Sequence, residues 1–308
     1  MLFRSTPDEI GAEVGTFGLP EMGTRFIQQV LLDAKPKNFA DLLQISGLTH
    51  GTGCWLGNAQ ELIKQGICGI SSVIGCRDDI MNTLIRYGLE NADAFKIMES
   101  VRKGKGLTPE WETLMKEHGV PDWYMESCKK IKYMFPKAHA AAYVMSAIRL
   151  GWYKIYYPME FYAAFLTVAP GGFDAEVVMQ GRSHVQSVIH ELEEKGTKAT
   201  QKEAETITSL QLANECMARG VRFLPVDLNK SDASAFLPEN GNIRMPFTSL
   251  MGVGETAAKR IVAAREASEI FSIEDLRLRA GLTKTVIEIL TKNGVFKGLS
   301  ATNQFSLF

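Results

Sequence analysis

Ser249-Leu-Met-Gly-Val-Gly254 runs directly into Glu255-Thr-Ala-Ala-Lys-Arg-Ile-Val-Ala-Ala-Arg265. Gly252 and Gly254 permit the positive φ angles of a tight hairpin, and the residues that follow carry a helix. A helix that opens on glycine leaves its first backbone N–H groups bare, an arrangement suited to a phosphate. Lys259, Arg260 and Arg265 add positive charge nearby. A lone Gly-x-Gly fits an ordinary turn between helices equally well. What tips the reading is a second copy: Phe271-Ser-Ile-Glu-Asp-Leu276, then Ala280-Gly-Leu-Thr-Lys-Thr285 leading into Val286-Ile-Glu-Ile-Leu290.

The two copies resemble a tandem helix-hairpin-helix, a unit that grips a duplex backbone without reading its sequence. Residues 247–298 are therefore expected to bind DNA, through Gly252, Val253, Gly254, Lys259, Arg260 and Lys284. Just upstream, Val221–Val226 and Ala235–Leu237 read as short strands, with Asn240-Gly241 as a hairpin turn. Helices are expected over 174–194 and about 200–219, the second ended by Gly220. Pro170-Gly-Gly172 is the expected domain boundary.

The first 170 residues read as helices divided by glycine-rich turns: Phe39–Ser46, Asn58–Lys64, Arg77–Tyr87 and Ala92–Lys103. Gly47-Leu-Thr-His-Gly-Thr-Gly53 is expected to break the first of these. Thr108-Pro109 and Pro136 mark helix starts. After Pro136, Ala138, Ala142, Met145, Ile148, Trp152 and Ile155 line one helical face, and Pro158 ends the helix. Lys129, Lys130, Lys132, Lys137 and His139 crowd this helix start, where the dipole disfavours cations. The common reading of such a run is a solvated face with a structural histidine. An anion held jointly by the dipole, the free amides and the side chains explains it better, and a triphosphate or a nucleic-acid backbone fits. Tyr133, Phe135 and Tyr143 are placed to stack on a base. Arg77 is a second candidate phosphate clamp, unless it pairs with Asp78 or Asp79.

With 308 residues, 45% apolar and 22% charged, the chain has the balance of a globular protein with room for two domains. No apolar run reaches the roughly 18 residues of a membrane span. The opening Met-Leu-Phe-Arg-Ser-Thr-Pro lacks a signal-peptide core, so a cytoplasmic, nucleoid-associated protein with no membrane partner is expected. Five cysteines, with no Cys-x-x-Cys pair, argue for free thiols rather than disulfides or zinc. The net charge of −1 excludes no polyanionic partner, because local clusters set the field. The last ten residues read as an exposed tail. Its end, Gln304-Phe305-Ser306-Leu307-Phe308, resembles the peptides that bacterial replication proteins dock into the sliding clamp.

Taken together these stretches resemble the C-terminal portion of the PolC-type DNA polymerases of low-GC Gram-positive bacteria, family C polymerases (DNA polymerase III alpha subunit). The resemblance runs through Pro7–Thr16, Gln44–Leu48, Trp55–Gln60, Val73–Ile80, Phe95–Gly106, Cys128–Tyr143, Val226–Leu228, Ser231–Ala233 and the Gln-x-Ser-Leu-Phe end. It implies a fingers region over 1–168 that receives the incoming dNTP. It further implies a duplex-binding domain over 169–299 that holds the primer-template, and a clamp-binding tail over 300–308. By the same resemblance Arg77, Lys132, Lys137 and His139 lie on the nucleotide-binding surface, and Ser46 and Phe135 near the base. The fold expected is mainly α with a small β-hairpin element.

The family's chemistry is phosphoryl transfer by two metal ions held on palm aspartates. This chain has no plausible Asp-x-Asp pair, and the resemblance puts the palm upstream of Met1. Mg²⁺ is thus expected in the full-length polymerase on residues outside this chain, with no catalytic residue here and no activity of the chain alone. The rest of the polymerase chain is an expected partner. Two other readings compete: a stand-alone, non-catalytic DNA-binding protein, which leaves the first half unexplained, and a nucleotide-binding enzyme, which lacks a catalytic carboxylate or Walker motif.

Overall fold

The computed structural model describes residues 5–168 and 171–303. The chain forms two compact units, one of residues 16–151 and one of residues 1–15 with 152–308. This division falls inside a long helix rather than at Pro170–Gly172. A short capped turn, α1 (Pro7–Ile10), belongs to the second unit.

The 16–151 unit is all helical apart from an isolated bridge between Thr52 and Tyr133. Its elements are α2 (Arg25–Ala34), α3 (Phe39–His50), a π-turn over Trp55–Ala59 that continues into α4 (Gln60–Lys64), and α5 (Arg77–Arg86). Then come α6 (Asn91–Arg102), α7 (Pro109–Glu117), α8 (Asp122–Lys130) and the first part of α9 (Lys137–Tyr156). Polar side chains start several of these helices. Thr24, Asn38 and Thr108 each accept a hydrogen bond from the backbone N–H three residues on, a cap worth about 1 kcal/mol. The core is built at helical spacing. Ile80 and Leu84 of α5 pack with Ala94, Ile97 and Val101 of α6, all fully buried.

Three expectations are corrected here. α3 does not break at Gly47; it runs on to His50. Gly47 is there for close approach: a Cβ at this position would sit 2.3 Å from the Gly75 carbonyl oxygen. The apolar face expected along α9 is the exposed one. Met145, Ile148, Trp152 and Ile155 remain 40–48% exposed, while Ala140, Val144 and Ala147 are buried. Small side chains let this helix lie close against its core. Finally, the helix expected over 174–194 is two, α11 (Ala175–Met179) and α12 (Arg182–Glu194), split at Gly181 with φ 96°.

In the second unit, α10 (Pro158–Val168) and α13 (Gln201–Ala218) accompany a three-stranded sheet. The strands are β1 (Phe223–Leu224), β2 (Leu237–Glu239) and β3 (Asn242–Arg244). β3 lies in the middle, parallel to β1 and antiparallel to β2, and Asn240-Gly241 turns the hairpin with positive φ at both residues. Phe173 packs against Phe223 and Phe236 beneath this sheet. Deep in the same unit Lys154 and Glu215 form an ion pair of 2.7 Å with neither side chain exposed. Burial draws the Lys154 ammonium down to about 8 and pushes the Glu215 carboxyl up. The chain then enters α14 (Glu255–Ala267), α15 (Ile273–Ala280) and α16 (Lys284–Lys292). The fold is mainly α with a small sheet, as expected.

Residues 300–303 are exposed, as expected of the tail, but they are tied back to the fold. Ser300 bridges to Ser272, and the Ser300 and Ala301 carbonyls accept the N–H groups of Ile273 and Glu274. These are amides at the start of α15 that have no partner within the helix. The clamp-peptide residues Gln304, Phe305, Ser306, Leu307 and Phe308 lie outside the described residues.

Candidate nucleic-acid interface

The helix start at Lys137 is not left without an anion, as its sequence suggests. Asp78 accepts the Lys137 backbone N–H at 2.7 Å, and Asp79 takes the Lys137 ammonium at 3.1 Å. Asp79 also accepts the backbone N–H groups of Gly75 and Cys76, so one carboxylate starts α5 and holds α9. The neighbouring lysines are engaged as well. Lys129 bridges Glu112 and Glu126, both at 2.9 Å, and Lys130 donates to the Gly57 carbonyl.

Arg77 and Lys132 stand apart. Their side chains make no ion pair or hydrogen bond among the described residues. Both are placed by backbone bonds: Arg77 N–H to the Phe135 carbonyl, and Lys132 N–H to the Thr52 carbonyl. The alternative of Arg77 paired with Asp78 or Asp79 is therefore not what forms. Lys137, Asp79 and Arg86 border an open cavity of about 460 Å³, with Trp123 and Tyr87 in its wall.

Beside the cations lies a cluster of rings. Phe135 stacks on His139 with centroids 4.8 Å apart and planes within 14°. Tyr143 follows His139 at 4.7 Å, and Tyr133 meets Phe135 edge-on at 5.2 Å. Tyr133 and Tyr143 are 46% and 40% exposed, so the cluster has an open side. Ser46 does not reach that side. Its side chain is buried on α3 and its hydroxyl has no partner among the described residues. Its carbonyl does participate, lying 2.6 Å from Nδ1 of His50. His50 itself, in ring contact with Phe135, His139 and Tyr143, is not visible from the sequence, where Gly47 marks the expected end of α3.

The two hairpins differ at the atoms that matter. Gly252 has φ 93°, so the turn calls for glycine; a Cβ there would also meet the tip of the Ile289 side chain at 2.7 Å, which is free to shift. Gly254 has an ordinary φ of −76° and open space around its Cα. Nothing within the described residues requires glycine at this position, and it caps α14 with no side chain. The second hairpin turns at Gly281 and starts α16 on Thr283, whose hydroxyl accepts from Val286 N–H. Its helix start is thus partly satisfied internally. Val253 is buried as the apolar peg of the first turn.

Lys259 pairs with Glu255 at 2.6 Å and Lys284 with Glu288 at 3.7 Å, both on exposed surface, where such pairs are weak and readily exchanged. Arg260 extends towards the second hairpin, its Nη1 lying 3.6 Å from where a Gly281 side chain would begin. Arg265 is committed elsewhere, donating to the Leu228 and Ser231 carbonyls. Among the described residues no three His, Cys, Asp or Glu side chains converge. No helix among them is long and apolar enough to cross a membrane.

Residues 9–119 match the family of the bacterial DNA polymerase III alpha subunit finger domain, and residues 220–305 match the helix-hairpin-helix motif family. The DNA polymerase III PolC-type of Bacillus subtilis (strain 168) is 52% identical over 303 residues, covering 98% of this chain and 21% of that protein. The PolC-type protein of Listeria monocytogenes is 51% identical over 313 residues, covering all of this chain and 22% of its own length. That of Clostridium perfringens is 50% identical over 303 residues. The chain spans about a fifth of the length of these relatives. Along its whole length the chain is similar to one segment, about a fifth, of the PolC-type DNA polymerase III proteins.

Proposed function

We propose that this chain is the fingers and duplex-binding part of a replicative DNA-directed DNA polymerase. In this reading the region to residue 168 receives the incoming dNTP, and residues 169–299 hold the primer-template duplex. One observation carries it. A finger-domain match and a helix-hairpin-helix match fall in one chain that is about half identical to PolC-type polymerases from end to end.

The local chemistry supports the assignment of roles. Arg77 and Lys132 are cations without side-chain partners among the described residues, beside a half-open set of rings. They suit a triphosphate and its base. Lys137 joins them by exchanging Asp79 for phosphate, and His139 and Phe135 support the base. Ser46 acts through the carbonyl that holds His50. In the second unit the uncapped start of α14 takes a backbone phosphate, with Lys259, Arg260 and Lys284 supplying charge. Catalytic Mg²⁺ is held by palm residues outside this chain, so the chain alone is inactive. The rest of the polymerase supplies that palm, and Gln304–Phe308 engages the sliding clamp, within the cytoplasm at the nucleoid.

Fluorescence anisotropy with a labelled primer-template, and primer extension by the same preparation with Mg²⁺ and dNTPs, test this together. The expected result is duplex binding without extension, and clamp affinity that disappears when 304–308 are removed. Extension by the purified chain, or no duplex binding, contradicts the reading.

A further inference from the structure

We propose that Glu21 and His50 form a positioning pair that fixes the ring platform on which the base of the incoming nucleotide rests. The proposal rests on the nucleotide-receiving reading above. His50 is the last residue of α3. Its Nδ1 lies 2.6 Å from the Ser46 carbonyl and its Nε2 lies 2.7 Å from Oε2 of Glu21. Both ring nitrogens are therefore used, and the plane of the imidazole is fixed from two directions.

That fixed ring meets the platform at three points. It stands edge-on to Phe135 at 5.9 Å and to His139 at 6.3 Å, and tilted against Tyr143 at 6.2 Å. Phe135 and His139 are the stacked pair, so His50 abuts both members at once. Edge-to-face contacts of this kind set ring orientation beyond what area burial gives.

Glu21 is the second observation. It is one of three non-glycine residues with positive φ among the described residues, at 63°. Such a backbone is disfavoured for a residue with a side chain and persists only where the surroundings hold it. Here the strained residue is the one whose carboxylate reaches His50. The pair is not core: the side chains are 24% and 37% exposed, so apolar burial does not explain their placement. A histidine in the last turn of a helix is favourable for the helix alone. That accounts for the Ser46 contact but not for the Glu21 contact or the three ring contacts.

The test separates base from phosphate. Quenching of intrinsic fluorescence in the 308-residue chain is titrated with dGTP and, in parallel, with inorganic triphosphate. Glu21→Ala and His50→Ala are expected to weaken dGTP about tenfold while leaving triphosphate within about twofold, since stacking is lost and Arg77 and Lys132 remain. Glu21→Gln keeps a polar group opposite Nε2 that can accept from or donate to the ring, and is expected to restore dGTP to within about twofold of wild type. Circular dichroism melts identify any variant that fails to fold, and the Glu21→Gln and Glu21→Ala comparison then decides. Unchanged dGTP binding in the alanine variants overturns the positioning role, as does an equal loss of dGTP and triphosphate. A wild-type chain that binds neither probe overturns the nucleotide-receiving reading itself, and the pair with it.

Discussion

At the scale of single residues, the cations of this chain divide into those already answered and those left open. Lys137 is answered by Asp79, and the start of α9 by Asp78. Asp78→Ala removes the acceptor of a helix-start amide and should cost about 1 kcal/mol in urea unfolding. No loss of stability would mean that water replaces the carboxylate at no cost. Glu215→Ala is a harsher change, because it leaves the buried Lys154 ammonium without its counter-charge. It should destabilise the chain by about 3–5 kcal/mol in the same measurement. The sequence showed the crowding of lysines but not their partners. Lys137 lies 58 residues from Asp79, and nothing in local spacing announces a pair of that kind. Arg77 was legible only with an alternative, pairing with Asp78 or Asp79, which falls away because both carboxylates are turned to other work across the fold.

At the scale of elements, starts were easier to read than faces. Thr108-Pro109 and Pro136 announce α7 and α9 because capping and proline chemistry are local. Which side of α9 packs is not local. Met145, Ile148, Trp152 and Ile155 stay exposed while Ala140, Val144 and Ala147 are buried, a choice set by what packs against the helix across the fold. Gly47 misled for the same reason, since its role is contact with Gly75 across the fold rather than a turn. Gly47→Ala should therefore destabilise the chain by about 1–3 kcal/mol, read by chemical unfolding, because backbone must move to admit the methyl group. Gly254 makes the opposite case. Its surroundings are open and its φ is ordinary, so Gly254→Arg should fold with unchanged melting temperature. Duplex affinity should fall, because a side chain there blocks close approach of the backbone. A variant that folds and binds as well as wild type would remove the first hairpin from the interface.

At the scale of the molecule, paired carboxylates near the surface of both units add a modest, salt-screened share of stability. Glu99, beside Arg102 and Lys103, is held down at about 2. Glu203, beside Lys195 and the start of α13, and Glu239, beside Arg244 and Lys230, are held there too. A carboxylate whose folded value lies below its unfolded one adds stability above the unfolded value, near 4.5, and loses it as pH falls towards 2. The melting temperature should thus hold from pH 7 to about 5 and drop between about 4.5 and 2; a flat profile across that window would show these pairs contribute nothing. The proposed duplex-binding role rests on surface charge and bare amides, and its signature is electrostatic. The most direct measurement is the affinity of the 308-residue chain for primer-template duplexes of unrelated sequence across a salt series, repeated with Lys259→Ala. The account predicts near-equal affinities for all sequences, a linear fall of log affinity with log salt, and a shallower slope in the variant. Affinity confined to one sequence, or a slope unchanged by Lys259→Ala, would contradict it.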